Sequence, residues 1–179
     1  ESTSRQYAAS GGMERLGAML AIGGEMNWSM GGPSFRPFEF RKFPANAYVP
    51  LDLAGPEYNR RSIYRMNVNS GKEPLMDAFD CPDPAVKTPR RGVTTTPLQA
   101  LSLMNNSFVQ RQAANLATQA NQGRQPGDLA GSVRRAYRLA LGRAPTADEL
   151  NRAQDAARSN GLESVCWALL NSTEFVYVR

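Results

Sequence analysis

The 179-residue chain contains no histidine. That absence removes the commonest general base, the usual zinc ligand and the CxxCH motif that attaches haem. The two cysteines, Cys81 and Cys166, lie far apart and form no CxxC pair. Each reads as a small buried hydrophobe, with a long-range disulfide as the alternative in an oxidising compartment. Two thiols without histidine make a poor metal site, so no metal is expected. Neither GxxxxGK[ST] nor GxGxxG occurs, and "SMGGPSF" reads as a tight turn, not a phosphate loop. No apolar run approaches the roughly 18 residues of a membrane helix, and the opening residues lack the basic, apolar and small-residue succession of a signal peptide. The start, "ESTSRQYAAS", reads as the interior of a longer polypeptide.

What is present suits one domain with a real core, since 41% of the residues are hydrophobic. The formal charge is +5, a value that raises nucleic acid as a partner. The distribution argues against it. Lysine occurs only at Lys42, Lys72 and Lys87, and the arginines are scattered along the chain. Dispersed arginines pair with local carboxylates and carbonyls more readily than they track a phosphate backbone. "RPFEFRKFP" interleaves phenylalanine with positive charge, as single-strand readers do. An extended arm that lays alternate phenylalanines on a neighbouring surface gives the same pattern and is the better reading.

The organisation changes near residue 90, dividing a proline- and glycine-rich half (1–90) from a helical half (91–179), the first packed on the second as one structural domain. Thr96 and Pro97 supply an N-cap and a first-turn proline. From there Leu98, Leu101, Met104 and Phe108 trace one face of a helix expected to run to about residue 120. Val133, Ala136, Tyr137 and Ala140 mark a second helix, stopped at Gly142. In "PTADEL", Thr146 and Glu149 form a capping box that opens a third, ending near Asn160 and Gly161. Leu162, Val165, Cys166, Leu169 and Leu170 mark the fourth. The fold class is therefore mainly α: a C-terminal four-helix antiparallel bundle with an irregular N-terminal half containing short strands. In that half "MERLGAMLAIGGEMN" predicts a short helix, "FEFRKF" and "RRSIYRMNV" predict strands, and "SGKEPLMDAFD" predicts one or two helical turns.

Chemistry-bearing residues concentrate in "FDCPDPAVKTPRRGVTTTPLQALSLMNN". Asp80 and Asp83 could serve acid–base work or help hold an ion. Aspartates beside arginines that order a loop are commoner, and Arg90 and Arg91 lie near, with Arg60 and Arg61 a similar pair upstream. Three prolines stiffen the connection, so its charged groups are expected to form one cluster seating the helix at Pro97, with Thr94, Thr95 and Thr96 adding hydroxyls.

The run "NRRSIYRMNVNSGKEPLMDAFDCPDPAVKTPRRGVTTTPLQALSLMNNSFV", continued by "AYRLALGRAPTADEL" and "ALLNSTEFVYVR", resembles a planctomycete domain family of unknown function. That family forms the C-terminal part of large secreted proteins that often carry a planctomycete-type cytochrome c domain. The resemblance covers about residues 26–179. It implies an extracytoplasmic setting, in the periplasm or at the cell surface, and no established activity. The family's strongest positions fall on Arg60, Arg61, Asp80, Asp83, Arg91, Thr95, Thr96, Pro97, Gln99, Asn105 and Glu174. The expectation is a non-catalytic interaction or scaffold module, with no cofactor in this chain and haem c elsewhere in the parent protein. Its partners would be other domains of that protein or a cell-surface complex. The rival is a contribution to the active site of a carbohydrate-directed or redox enzyme, with carbohydrate as ligand and Asp80 or Asp83 beside the arginines.

Overall fold

Pro97 follows Thr96, whose hydroxyl accepts from the Gln99 amide at 3.3 Å while the Gln99 side chain accepts from the Thr96 amide at 3.4 Å. This reciprocal pairing satisfies two donors that a helix start otherwise leaves open, and it sets the first residue of the helical half. The computed structural model describes residues 11–42, 47–66, 68, 74–79, 96–125 and 127–176. Among them are α1 (Gly11–Ile22), β1 (Phe38–Arg41), β2 (Ala47–Pro50), a 3-10 turn (Ser62–Tyr64), α2 (Pro74–Ala78) and α3 (Pro97–Asn105). There follow α4 (Ser107–Asn121), α5 (Leu129–Leu141), α6 (Ala147–Asn160), α7 (Leu162–Leu170) and α8 (Thr173–Val176). The chain is mainly helical, with, among the described residues, one small antiparallel sheet in its N-terminal half.

Helices α4 to α7 pack together, with α4 against α7 the most extensive contact. Side chains cap three of the four starts: Asn106 for α4, Asp128 for α5, and Thr146 with Glu149 for α6. Leu116, Val133, Ala136, Cys166 and Leu170 are all 0% exposed. Small residues such as Ala113, Ala120, Ala140 and Ala157 lie among them and let the helix axes approach. Ala18, Met19 and Ile22 of α1, with Leu75 and Phe79, join the same cluster of buried residues.

The expected helix from Pro97 to about residue 120 is two helices. Asn106 is extended (φ −82°, ψ 127°) and its side chain accepts from the Phe108 amide at 2.9 Å. An asparagine that can bond the backbone locally competes with helix continuation, so it ends α3 and caps α4. The break also overturns the expected burial. Leu98, Leu101 and Met104 are 61%, 57% and 45% exposed, whereas Gln99 and Leu103, one turn apart, face inward. Phe108, on the next helix, does pack against the core.

The strand expected in "FEFRKF" is β1, but its partner is β2, paired so that Phe38 faces Pro50 and Phe40 faces Tyr48. Tyr48 meets both phenylalanine rings, at 6.4 and 5.2 Å between centroids, the aromatic cross-strand contact that holds a two-stranded ribbon. Within "RRSIYRMNV" the described residues Ser62–Tyr64 form a turn instead of the predicted strand. The Tyr64 amide donates to Arg61 O at 2.9 Å and the Arg65 amide to Ser62 O at 3.1 Å, which coils the segment into a 3-10 turn. Isolated parallel bridges at Asn27–Arg60 and Phe35–Arg65 flank that turn.

Candidate functional site

Between α1 and β1, the loop Trp28–Pro33 carries two glycines in succession with positive φ, Gly31 at 74° and Gly32 at 76°. A Cβ would strain both positions, so the sharp reversal needs glycine. Arg60 holds the loop from beneath. Its guanidinium donates to Pro33 O at 2.9 Å, to Ser29 O at 3.5 Å and to Gly31 O, and it lies 4.3 Å from the centre of the Tyr64 ring. The Tyr64 hydroxyl accepts from the Gly31 amide at 2.9 Å. Asn27 completes the frame: its Oδ1 accepts from the Ser29 amide at 3.0 Å and its Nδ2 donates to Pro56 O at 2.8 Å. A planar guanidinium is suited to this work because it offers several fixed donors at once.

Two large apolar side chains on this frame reach water. Trp28 is 50% exposed and Met30 74%. Arg61 lies beside both, 5.8 Å from the Trp28 ring centre and 4.0 Å from Met30 Sδ. Trp, Met and Arg together are the composition enriched at protein interfaces.

A second arrangement sits at the start of α4. Arg111 Nη1 and Nη2 donate to the two oxygens of Asp52 at 2.9 and 2.6 Å, and Ser107 Oγ donates to Asp52 at 2.7 Å. The Arg111 hydrogen bonds, followed by that from Ser107, hold the Asp52 carboxyl below its ordinary value. These groups border a cavity of about 250 Å³ shared with α1, α2 and the segment around the 3-10 turn.

A third lies at the far end of the bundle. Arg143 donates to Glu149 at 2.7 and 2.8 Å and to Glu174 at 2.7 Å through two nitrogens. Arg143, helped by the Thr146 amide, brings Glu149 down to about 2, and Arg143 also lowers Glu174. Burial, with Glu149 nearby, raises Tyr137. These groups clip the loop after α5 to α6 and α8.

Some of the predicted site residues are described. Arg60 and Arg61 serve the Trp28 loop, Thr96 and Gln99 pair at the start of α3, and Asn105 bonds back within its own helix to Leu101 O at 3.0 Å. Asp80, Asp83, Arg90, Arg91 and Thr95 lie outside the described residues, as do Cys81 and the cluster expected around them. Cys166 is a free, buried thiol, pushed up to about 12 by burial and, less, by Glu163. Asp52, Arg111 and Ser107 were not singled out from the sequence, and neither were Trp28 and Met30. Trp28 and Met30 did carry a signal, as large apolar residues beside a Gly-Gly-Pro turn.

Residues 14–157 match the family model of PSD1, proteins of unknown function (DUF1553). The chain belongs to that family. The match begins within α1 and ends within α6, so both the Trp28 loop and the Asp52–Arg111 cavity of this PSD1-family chain lie within it, while Glu174 lies beyond. No curated protein and no solved structure matches the chain. Among the described residues, no helix is long and apolar enough to cross a membrane, and no three His, Cys, Asp or Glu side chains are grouped so as to hold a metal ion.

Proposed function

We propose that this PSD1-family chain is a non-catalytic interaction module of an exported multidomain protein that works beside a c-type cytochrome, and that the Trp28–Pro33 loop is its contact surface. The single observation that carries the reading is an ordered loop with a large apolar tip: Arg60 binds three of its carbonyls while Trp28 is half exposed and Met30 mostly exposed. Burying a tryptophan and a methionine in a partner gains apolar contact area, and a loop already fixed in place loses little conformational freedom on binding. The partner is another domain of the parent polypeptide. The sequence's resemblance to a family of C-terminal domains in large exported proteins supports that choice, and on this reading haem c sits in the remainder of the parent.

The test separates the pieces. The 179-residue chain and the remainder of its parent polypeptide, produced as two proteins, should associate when titrated calorimetrically. Replacing Trp28 and Met30 together by alanine should weaken the complex by roughly 30-fold or more, the effect of losing an interface hot spot of about 2 kcal/mol. Arg60→Ala should weaken it by freeing the loop, with the helical circular dichroism signal retained. No association, or an association indifferent to all three positions, overturns the reading.

A further inference from the structure

The cavity bordered by Asp52 and Arg111 has two unlike ends. Its buried lining is apolar: Leu20 and Leu75 are each 3% exposed and Met76 8%. Its water-facing lining is charged, with the Arg111 and Asp52 side chains 35% and 54% exposed. A dry cavity of about 150 Å³ holds a benzene ring, so 250 Å³ accommodates a body of roughly ten non-hydrogen atoms.

The charges are unequal. Among the described residues that line the cavity, Arg60 and Arg111 stand against the carboxylate of Asp52. Arg60 hydrogen-bonds to neutral carbonyls, so those contacts leave its charge uncancelled. Arg111 uses one hydrogen on each Nη for Asp52, and a guanidinium has five to offer. Asn106 and Ser107, at the N-terminal end of the 15-residue α4, also border the space, and that end of a helix carries partial positive charge.

We infer that this cavity binds a small monocarboxylate with an apolar or aromatic body, the body among Leu20, Leu75 and Met76 and the carboxylate against the outer edge of Arg111. A guanidinium meets a carboxylate with two parallel hydrogen bonds, a geometry a neutral amide cannot reproduce. A phosphate dianion fits less well, because Asp52 already sits on Arg111 and repels a second charge. The site shares Arg60 with the frame of the Trp28 loop, but the carboxylate rests on Arg111.

Phenylacetate and its neutral analogue phenylacetamide, titrated separately into the 179-residue chain and followed by ligand-observed NMR, test the inference. Phenylacetate should bind, and phenylacetamide should bind roughly tenfold more weakly or worse, the effect of losing a charge-assisted hydrogen bond. Arg111→Met should weaken phenylacetate by a similar factor. Asp52→Asn keeps an oxygen for Ser107 and Arg111 but removes the competing charge, and it should strengthen phenylacetate several-fold. These opposite signs keep the test decisive even if one variant does not fold. Binding of neither probe, equal binding of both, or an Asp52→Asn variant that binds phenylacetate no better than the parent overturns the inference.

Discussion

Replacing Arg143 by methionine removes the centre of the clip at the far end of the bundle while keeping a side chain of similar length. Four hydrogen bonds of 2.7–2.8 Å to Glu149 and Glu174 are lost. A carboxyl lowered from an ordinary 4.5 to about 2 corresponds to about 3 kcal/mol if nothing screens it. Arg143 and Glu149 are each about a third exposed, however, and Glu174 more so, so water takes back much of that interaction. The expected loss is about 1–2 kcal/mol, or roughly 3–6 °C in Tm for a chain of this size. Both glutamates are lowered on folding, so the folded chain binds fewer protons than the unfolded chain. The contribution is therefore complete above about pH 4.5 and is lost as pH falls toward 2. Urea unfolding of parent and variant, followed by far-UV circular dichroism, should show a stability gap at about pH 7 that narrows by about pH 3. Equal stabilities at neutral pH, or a gap just as wide in acid, would refute the reasoning.

Asn106→Ala should cost about 1 kcal/mol, because the amide of Phe108 loses its cap, and a urea denaturation midpoint measures it. Cys166 should resist a thiol-specific reagent at about pH 8 in the folded protein and react promptly in urea, since it is fully buried and its thiol is raised to about 12. Rapid labelling of the native chain at Cys166 would contradict its place in the core.

The parts of this fold that could be read from the sequence are those whose causes are neighbours in it. Thr96 with Pro97 and Gln99, and Thr146 with Glu149, act over three residues, and both helix starts lie where those patterns put them. Gly142 and Gly161 end α5 and α6 for the same reason. Periodicity was less informative for α3. It shows that Leu98 and Leu101 share a face, but not that the face turns outward once Asn106 detaches α3 from α4. The "RRSIYRMNV" segment alternates like a strand, yet hydrogen bonds from Phe35 and to Asn59 O fix it as a turn between two bridges. The Asp52–Arg111 pair and the Arg143–Glu174 pair join positions far apart in the chain, and no local pattern marks them.

The Trp28 loop shows how such long-range contacts bear on function. Ordering a residue costs about 1–2 kcal/mol in backbone freedom, and a connection between α1 and β1 has no need to meet that cost over its whole length. Here it is met: Arg60 reaches back across the chain to three carbonyls, Tyr64 fixes the Gly31 amide, and Asn27 ties Ser29 to the segment at Pro56. If stability were the only demand, the residues on so rigid a frame would be polar or folded inward, since exposed Met30 and half-exposed Trp28 contribute little to a core. Rigidity beneath and apolar surface above fit one requirement together: a partner that gains from the contact without having to order it. On that argument Arg60→Ala and Trp28→Ala weaken the same complex for different reasons, the first by restoring freedom to the loop and the second by removing what it presents.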